Sequence, residues 1–341
     1  MQPLPLPSRP LSGSPLGPPP WHRALLGSTV VAAGLLVGAC GPTDAAPAGP
    51  SIVCTTVMVG DVVRGVAGDG ARVTVLFGAD VDPHLFRPTR DDVAALTSAD
   101  VIFASGLHLE ANLIPTLDKL AGEGIAVTYL AESILEPGEE LTEGGDVVDP
   151  HVWMDPQLWS RTAAVVANAL ASVEGLQADG LDERAKEVAA TYQALHEDSM
   201  AALGSIPKGA RVLITAHDAF GYFGRRYGLE VHAIQGVSTA SEAGLGAIED
   251  LVDLIVERRA PAVFFESTVS ERSVRALIEG ASARKHEVIV GGVLHSDAPG
   301  DAESYVGMVR HNVRTIAAAL GGPTTQEASN PRSGQGAAPT R

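Results

Sequence analysis

The segment LDERAKEVAATYQALHEDSMAAL, residues 181–203, decides the architecture of this chain. Apolar and small side chains recur along it every three or four residues, which predicts a helix with one packed face. The residues of that face are Ala185, Val188, Ala189, Tyr192, Leu195, Ser199, Ala202 and Leu203. A helix of about 22 residues is roughly 33 Å long. The segment therefore predicts one rigid helix that joins the parts of the chain on either side of it.

On both sides of this helix, short β-branched runs alternate with longer helical patterns, which is typical of βαβ units with parallel strands. The predicted strands are Ile52–Met58, Arg72–Phe77, Asp100–Ala104 and Ala126–Leu130 on one side, and Arg211–Thr215, Glu230–Ile234, Ala262–Glu266 and Glu287–Val290 on the other. The predicted fold is α/β, with two lobes that each hold a four-stranded parallel sheet and flanking helices, joined by the long helix.

The length of 341 residues favours two lobes because it exceeds what one hydrophobic core usually organises. We expect an N-terminal lobe over residues 51–180, the linking helix over 181–204 and a C-terminal lobe over 205–320. Residues 321–341 are rich in Gly, Pro, Ser, Thr and Gln and are predicted to form a disordered tail.

The N-terminus has the pattern of a secretion signal, in which basic residues precede the apolar run Ala24–Leu36. That run is about 13 residues long, whereas a transmembrane helix needs roughly 20. The sequence Val37-Gly38-Ala39-Cys40 resembles a bacterial lipobox. We predict a lipoprotein signal peptide over 1–39, a lipid anchor on Cys40 and a tether over 40–50, which hold the protein at the extracytoplasmic face of the bacterial cytoplasmic membrane. A permanent transmembrane helix and an ordinary cleavage site with an incidental cysteine are the alternatives.

Composition narrows the class of ligand. The chain has 41 acidic and 24 basic residues, a net charge of −17, which argues against nucleic acid and in favour of cations. Its two cysteines cannot form a Cys-rich zinc or iron–sulfur site, so a metal centre must use histidine and carboxylate side chains. With Cys40 lipidated, we expect Cys54 to be buried as a small hydrophobic residue.

Four residues stand out as candidate metal ligands, because each follows the end of a predicted strand or a long loop after one. They are His84, His151, His217 and Asp297, two from each lobe. Open α/β sheets place ligands at the carboxyl ends of their strands. Three imidazoles and one carboxylate make a closed set for a divalent ion such as zinc. Each histidine alone could equally be a loop or capping residue, since the spacings form no local metal motif.

The remaining polar residues have weaker signals. Asp218 and Glu266 could orient the ligating imidazoles through the second ring nitrogen, or could cap helices. Three further histidines lie in helical or polar contexts and are expected to be solvated: His196, His286 and His311. His108 and His295 fall near the candidate loops and are expected to be structural. The acidic segment 136–149 is expected to be a solvated charge run.

Five motifs carry a specific resemblance: Asp82–Thr89 (DPHLFRPT), Ser105–Glu110 (SGLHLE), Asp149–Pro156 (DPHVWMDP), Ala216–Phe223 (AHDAFGYF) and Phe265–Ser270 (FESTVS). Over residues 51–320 the chain resembles the cluster A-I zinc- and manganese-binding lipoproteins of ABC importers. The resemblance implies that an ion binds between the lobes on His84, His151, His217 and Asp297. It also implies a protein that is not an enzyme and that delivers the ion to a permease with its ATPase, and we expect this protein to be a monomer.

The resemblance leaves the choice of metal open, with Zn²⁺ the first choice and Mn²⁺ the second. Members that favour manganese commonly have glutamate where this chain has His217. Members dedicated to zinc often have a His-rich loop where residues 136–149 are acidic and contain no histidine. Two other functions are alternatives. One is a surface adhesin with a structural metal. The other is a metallohydrolase, against which a fourth protein ligand at Asp297 argues because catalytic zinc keeps an open position.

Overall fold

The computed structural model describes residues 49–241 and 244–321. The predicted signal peptide, Cys40, all but the end of the tether and the tail from residue 322 lie outside the described residues. Within the described part, none of the helices combines the length and apolar character needed to cross a bilayer.

The N-terminal half contains a parallel sheet in the strand order β2-β1-β3-β4. Its strands are β1 (Ser51–Cys54), β2 (Arg72–Val75), β3 (Val101–Ala104) and β4 (Ala126–Tyr129). Its helices are α1 (Val57–Ala67), α2 (Arg90–Thr97), α3 (Ile114–Gly122) and α4 (Leu130–Ile134). The acidic segment 136–149, expected to be a solvated charge run, is mostly exposed, and it contains a short antiparallel hairpin of β5 (Thr142–Glu143) and β6 (Val147–Val148).

The middle of the chain is helical, as predicted. Two short helices, α5 (Pro156–Trp159) and α6 (Thr162–Leu170), precede α7 (Leu181–Leu203), the long helix. Most of the predicted face of α7 is buried or half-buried, but Ala202 is exposed. His196, expected to be solvated, is buried with its ring centroid 5.7 Å from that of Tyr227.

The C-terminal half contains four strands in two hydrogen-bonded parallel pairs. The strands are β7 (Val212–His217), which pairs with β8 (Glu230–Gln235), and β9 (Ala262–Glu266), which pairs with β10 (Ile289–Leu294). Strands β7 and β9 lie side by side, so the two pairs together form the second lobe's strand layer. The helices are α8 (Gly221–Tyr227), α9 (Leu245–Arg258), α10 (Arg272–Ala283) and α11 (Tyr305–Leu320).

The two halves share one hydrophobic core. A single buried cluster combines β1 and α1 of the first half, α7, and β9 and α11 of the second. Each half also has its own smaller core on the other face of its strands. The long helix therefore lies inside a continuous apolar layer, which fixes the facing loops of the two halves relative to each other.

Two predicted strands, the first and the last, end more than two residues away from the observed strand ends. The first strand ends at Cys54 because Thr56 caps α1, its hydroxyl accepting a hydrogen bond from the Val59 backbone N–H at 3.2 Å. The last strand lies further along the chain than predicted and continues through Gly291 and Gly292, where the register shifts. Gly292 adopts a φ of 137°, which side-chain-bearing residues avoid. Cys54 is buried and free, as expected.

Candidate metal centre

The structure brings all four predicted ligands to one point. His84 follows β2, His151 begins a short 3₁₀ turn, His217 is the last residue of β7, and Asp297 follows β10. One potential ligand atom from each lies within 4.8 Å of all the others, and all four residues are buried. Residues from two lobes thus form one buried group of three nitrogens and a carboxylate.

The separations between these atoms fit a small coordination sphere. The Nε2 atoms of His84 and His151 are 3.3 Å apart, and that of His151 lies 3.2 Å from Asp297 Oδ1. The Nε2 atom of His217 lies 3.3 Å from Asp297 Oδ2. Ligand distances near 2.0–2.1 Å in a tetrahedral zinc site require ligand atoms about 3.3–3.4 Å apart. The distance between His84 Nε2 and Asp297 Oδ1 is longer, at 4.0 Å.

Asp297 supplies a buried negative charge at the centre. Burial by itself raises the pKa of a carboxylic acid, but the imidazoles of His217 and His151 hold the pKa of Asp297 well below its usual range. Among the described residues, no hydrogen bond of good geometry reaches either of its carboxylate oxygens. A buried anion without hydrogen bonds is costly, so this arrangement suits a cation at the centre of the group.

His151 is oriented by Asp149, a residue whose role was not predicted. The Asp149 carboxylate accepts a hydrogen bond from the His151 backbone N–H at 2.9 Å, and its Oδ1 lies 2.7 Å from the ring Nδ1. Burial lowers the pKa of His151, but Asp149 and Asp297 outweigh it and raise that pKa to about 9. A carboxylate on the second ring nitrogen fixes the ring so that Nε2 points to the centre.

Glu266, one of the two residues expected to orient an imidazole, lies against His217. Its Oε2 lies 2.6 Å from His217 Nδ1, and its Oε1 accepts a hydrogen bond from the His217 backbone N–H at 2.8 Å. Burial opposes protonation, but Glu266 and Asp297 hold the pKa of His217 well above its usual range. Asp218 was expected to share this role, yet within the described chain no hydrogen bond or ion pair joins its carboxylate to an imidazole.

His84 is the least restrained of the three imidazoles. Burial, with help from the neighbouring histidines, lowers the pKa of His84 to about 4 despite the attraction of Asp297. It also borders a cavity of about 990 Å³ that is lined from both halves of the molecule, by Leu85 and His108 on one side and Val237 on the other. Of the four proposed ligands, His84 is the one that lines this cavity.

Two buried polar residues hold the Asp297 loop, and neither was predicted. The Asn312 side chain, on α11, accepts a hydrogen bond from the His295 backbone N–H at 2.9 Å. It also donates a hydrogen bond to the His295 backbone carbonyl at 2.7 Å. Trp153 donates its indole N–H to the Ser296 carbonyl at 3.0 Å. Since Trp153 follows His151 by two residues, this bond couples the two ligand segments directly.

The sequence is similar to those of known metal-binding proteins over most of its length. A family model described as "Zinc-uptake complex component A periplasmic" matches residues 52–319. The chain is 41% identical over 313 residues to a zinc-binding protein of Treponema pallidum, covering 87% of this chain and 99% of the relative. It is 38% identical over 308 residues to a manganese-binding lipoprotein of Bacillus subtilis, covering 88% and 99%.

The fold agrees with a solved structure. The periplasmic zinc-binding protein of Treponema pallidum superposes with a TM-score of 0.76 at 40% identity, over 80% of this chain and 99% of that one. The likeness covers both halves and the helix between them.

Proposed function

Because the chain belongs to the family of periplasmic component A proteins of zinc-uptake complexes, we propose that it captures one divalent transition-metal ion and delivers it to a membrane permease. His84, His151, His217 and Asp297 are the proposed ligands. Membership in this family makes the chain a solute-binding protein and not an enzyme. The metal-binding names of its relatives do not favour the adhesin alternative.

One observation carries the proposal: four buried ligand atoms from four separate segments lie within 4.8 Å of one another. Three carboxylates bordering or belonging to this group, Asp149, Glu266 and Asp297, are buried with it. Buried charge of this kind is destabilising unless it is compensated by a partner. A divalent cation at the centre supplies that compensation, with Asp149 and Glu266 holding two of the rings by their second nitrogens.

We propose zinc as the first cargo and manganese as the second. Three imidazole nitrogens favour zinc, whereas manganese prefers oxygen ligands. The two oxygens of Asp297 face different histidines, Oδ1 towards His151 and Oδ2 towards His217, so the carboxylate can bind an ion through one oxygen or both. A larger ion with a higher coordination number can use both oxygens. This keeps manganese as the second choice.

The location and partners follow from the same proposal. We propose that Cys40 carries a lipid that anchors the protein at the extracytoplasmic face of the cytoplasmic membrane. The partner is the permease subunit of an ABC importer together with its ATPase. Mass spectrometry of the protein purified from its own membranes should find Cys40 as a lipidated N-terminus, and an unmodified Cys40 would overturn the anchor.

The experiment that tests the cargo is a titration of metal-free protein with ZnCl₂ and MnCl₂, with metal analysis of protein isolated from its own envelope. We expect zinc to bind tightly and manganese to bind more weakly. Asp297→Ala should lose more than about 100-fold in zinc affinity, because removing a residue that only hydrogen-bonds a ligand already costs about 10- to 100-fold.

A matched control uses a histidine outside the group. His232 lies on β8, paired with Glu230 at 2.9 Å. We expect His232→Ala to bind zinc as the unmodified protein does. Unchanged zinc affinity in Asp297→Ala would contradict the ligand assignment, while tighter binding of manganese than zinc would contradict only the choice of cargo.

A further inference from the structure

A second group of metal-ligating side chains lies outside the proposed centre. His295 directly follows β10, Asp301 lies in the 3₁₀ turn Gly300–Ala302, and His311 is on α11. One potential ligand atom from each of the three side chains lies within 4.8 Å of the others. Unlike the first group, these residues come from one short stretch of chain, so a single strand–turn–helix unit brings them together.

His311 has the hydrogen bonding of a prepared ligand, although it was expected to be merely solvated. Its Nε2 lies 2.8 Å from the Val293 carbonyl oxygen. Because a carbonyl only accepts, Nε2 must carry the proton, which leaves the Nδ1 lone pair free in the neutral ring. Metal-binding histidines usually donate their other ring N–H to a carbonyl or carboxylate in this way.

His295 is held against the turn that carries the carboxylate. Its Nδ1 lies 3.2 Å from the Ser267 hydroxyl, and its Nε2 lies 2.9 Å from Asp301 Oδ1. The ring also fits against Gly300, where a Cβ atom would lie 2.6 Å from the imidazole carbon Cε1. In the metal-free protein Nε2–H donates to the Asp301 carboxylate. In the other ring tautomer, Nδ1–H donates to the Ser267 hydroxyl, which frees the Nε2 lone pair to coordinate an ion together with Asp301.

We propose that His295, Asp301 and His311 bind a second divalent transition-metal ion of the zinc class. This inference goes beyond the proposed function and does not depend on it. Two imidazoles and a carboxylate leave at least one position to water, and the Asp301 side chain is 87% exposed. The site therefore binds more weakly than the buried four-residue centre and exchanges its ion freely with solvent.

The test is isothermal titration of untagged, metal-free protein with ZnCl₂. We expect two ions per chain, with one tight and one weaker binding event. His311→Ala and Asp301→Ala should each weaken the weaker binding event by at least about 10-fold, the smallest loss usual for removing a residue that hydrogen-bonds a metal ligand. The tight event should stay unchanged. Because the Asp301 side chain is exposed, we expect Asp301→Ala to fold normally, so the test does not depend on substituting the buried His295.

The matched control is His286→Ala. His286 also places its Nε2 near a carbonyl oxygen, that of Ala260 at 3.0 Å, but has no part in the cluster. We expect its substitution to leave both binding events unchanged. Binding of a single ion by the unmodified chain, or a second event that survives both His311→Ala and Asp301→Ala, would overturn the proposal.

Discussion

The tripeptide Asp-Pro-His occurs twice, at residues 82–84 and 149–151, and each copy delivers one imidazole to the same point. In both copies the aspartate accepts a hydrogen bond from the histidine backbone N–H at 2.9 Å. The carboxylates then differ. Asp149 also reaches the ring of its own histidine at 2.7 Å, whereas Asp82 accepts a hydrogen bond from the Thr239 hydroxyl of the other half at 2.6 Å.

The consequence is a difference in charge. The pKa of His151 is raised to about 9, where its neighbouring carboxylates outweigh burial, while burial lowers the pKa of His84 to about 4. A short motif thus fixes the backbone of each copy, but tertiary contacts decide the protonation of its ring. In the metal-free protein the imidazole of His151 is therefore protonated at neutral pH, whereas that of His84 is neutral.

The largest expected effect separates the two histidines themselves. His151→Ala should weaken zinc binding more than His84→Ala does, because it removes a ligand and also leaves Asp149 buried without its partner. We expect each loss to exceed about 100-fold, above the range for outer partners. Competition against a chromogenic chelator measures both. An equal or smaller loss in His151→Ala would remove the distinction between the copies.

The two aspartates provide the next test. Asp149→Asn should reduce zinc affinity by about 10- to 100-fold, the usual cost of losing a carboxylate behind a ligating histidine. Asp82→Asn should cost less than about 10-fold, since Asp82 contacts the backbone of His84 and not its ring. The same chelator competition compares them, and similar losses in the two variants would show that the ring contact is unimportant.

The pH dependence of binding follows from the pKa values. A metal must displace the proton of His151, whose pKa is about 9, and that of His217, whose pKa is also raised, so zinc affinity should rise with pH through the neutral range. His84, with a pKa of about 4, adds no dependence between pH 5 and 8. Each displaced proton changes affinity by about tenfold per pH unit.

Calorimetry in buffers of different ionisation enthalpy counts those protons. We expect Asp149→Asn to release about one proton fewer than the unmodified protein at pH 7, because the raised pKa of His151 depends on Asp149. Equal zinc affinity at pH 5 and pH 7.5 would contradict a ligand set of imidazoles.

The smallest expected effect concerns the contact between the halves. Thr239→Val removes the hydroxyl that bonds Asp82 and should lower the free energy of unfolding by about 1 kcal/mol. Thr239→Ser keeps the hydroxyl and serves as the control. Urea unfolding of the metal-free protein measures both variants. Identical midpoints would indicate that the Thr239–Asp82 hydrogen bond contributes nothing to stability.

The sequence predicts the strands because they depend on local signals, and it singles out the four residues whose potential ligand atoms the structure brings within 4.8 Å of one another. β-branched runs mark strands, and His217 comes at the end of one. The role of Asp149 could not be read from the motif, since Asp82 has the same neighbours and a different partner. Asn312 was missed because its contact with the His295 backbone arises only when α11 packs against β10.

The strand boundaries failed for a related reason. Val57 and Met58 suit a strand by composition, but Thr56 caps α1 and commits them to a helix. The apolar residues after Thr56 suit either a strand or a helix, so their propensities alone do not show that a helix begins there.

The most direct test of the central claim is anomalous diffraction at the zinc edge from crystals of the zinc-loaded protein. We predict that the strongest peak lies about 2.0–2.2 Å from His84 Nε2, His151 Nε2, His217 Nε2 and a carboxylate oxygen of Asp297. A strongest peak elsewhere, or one that touches fewer than all four residues, would contradict the account.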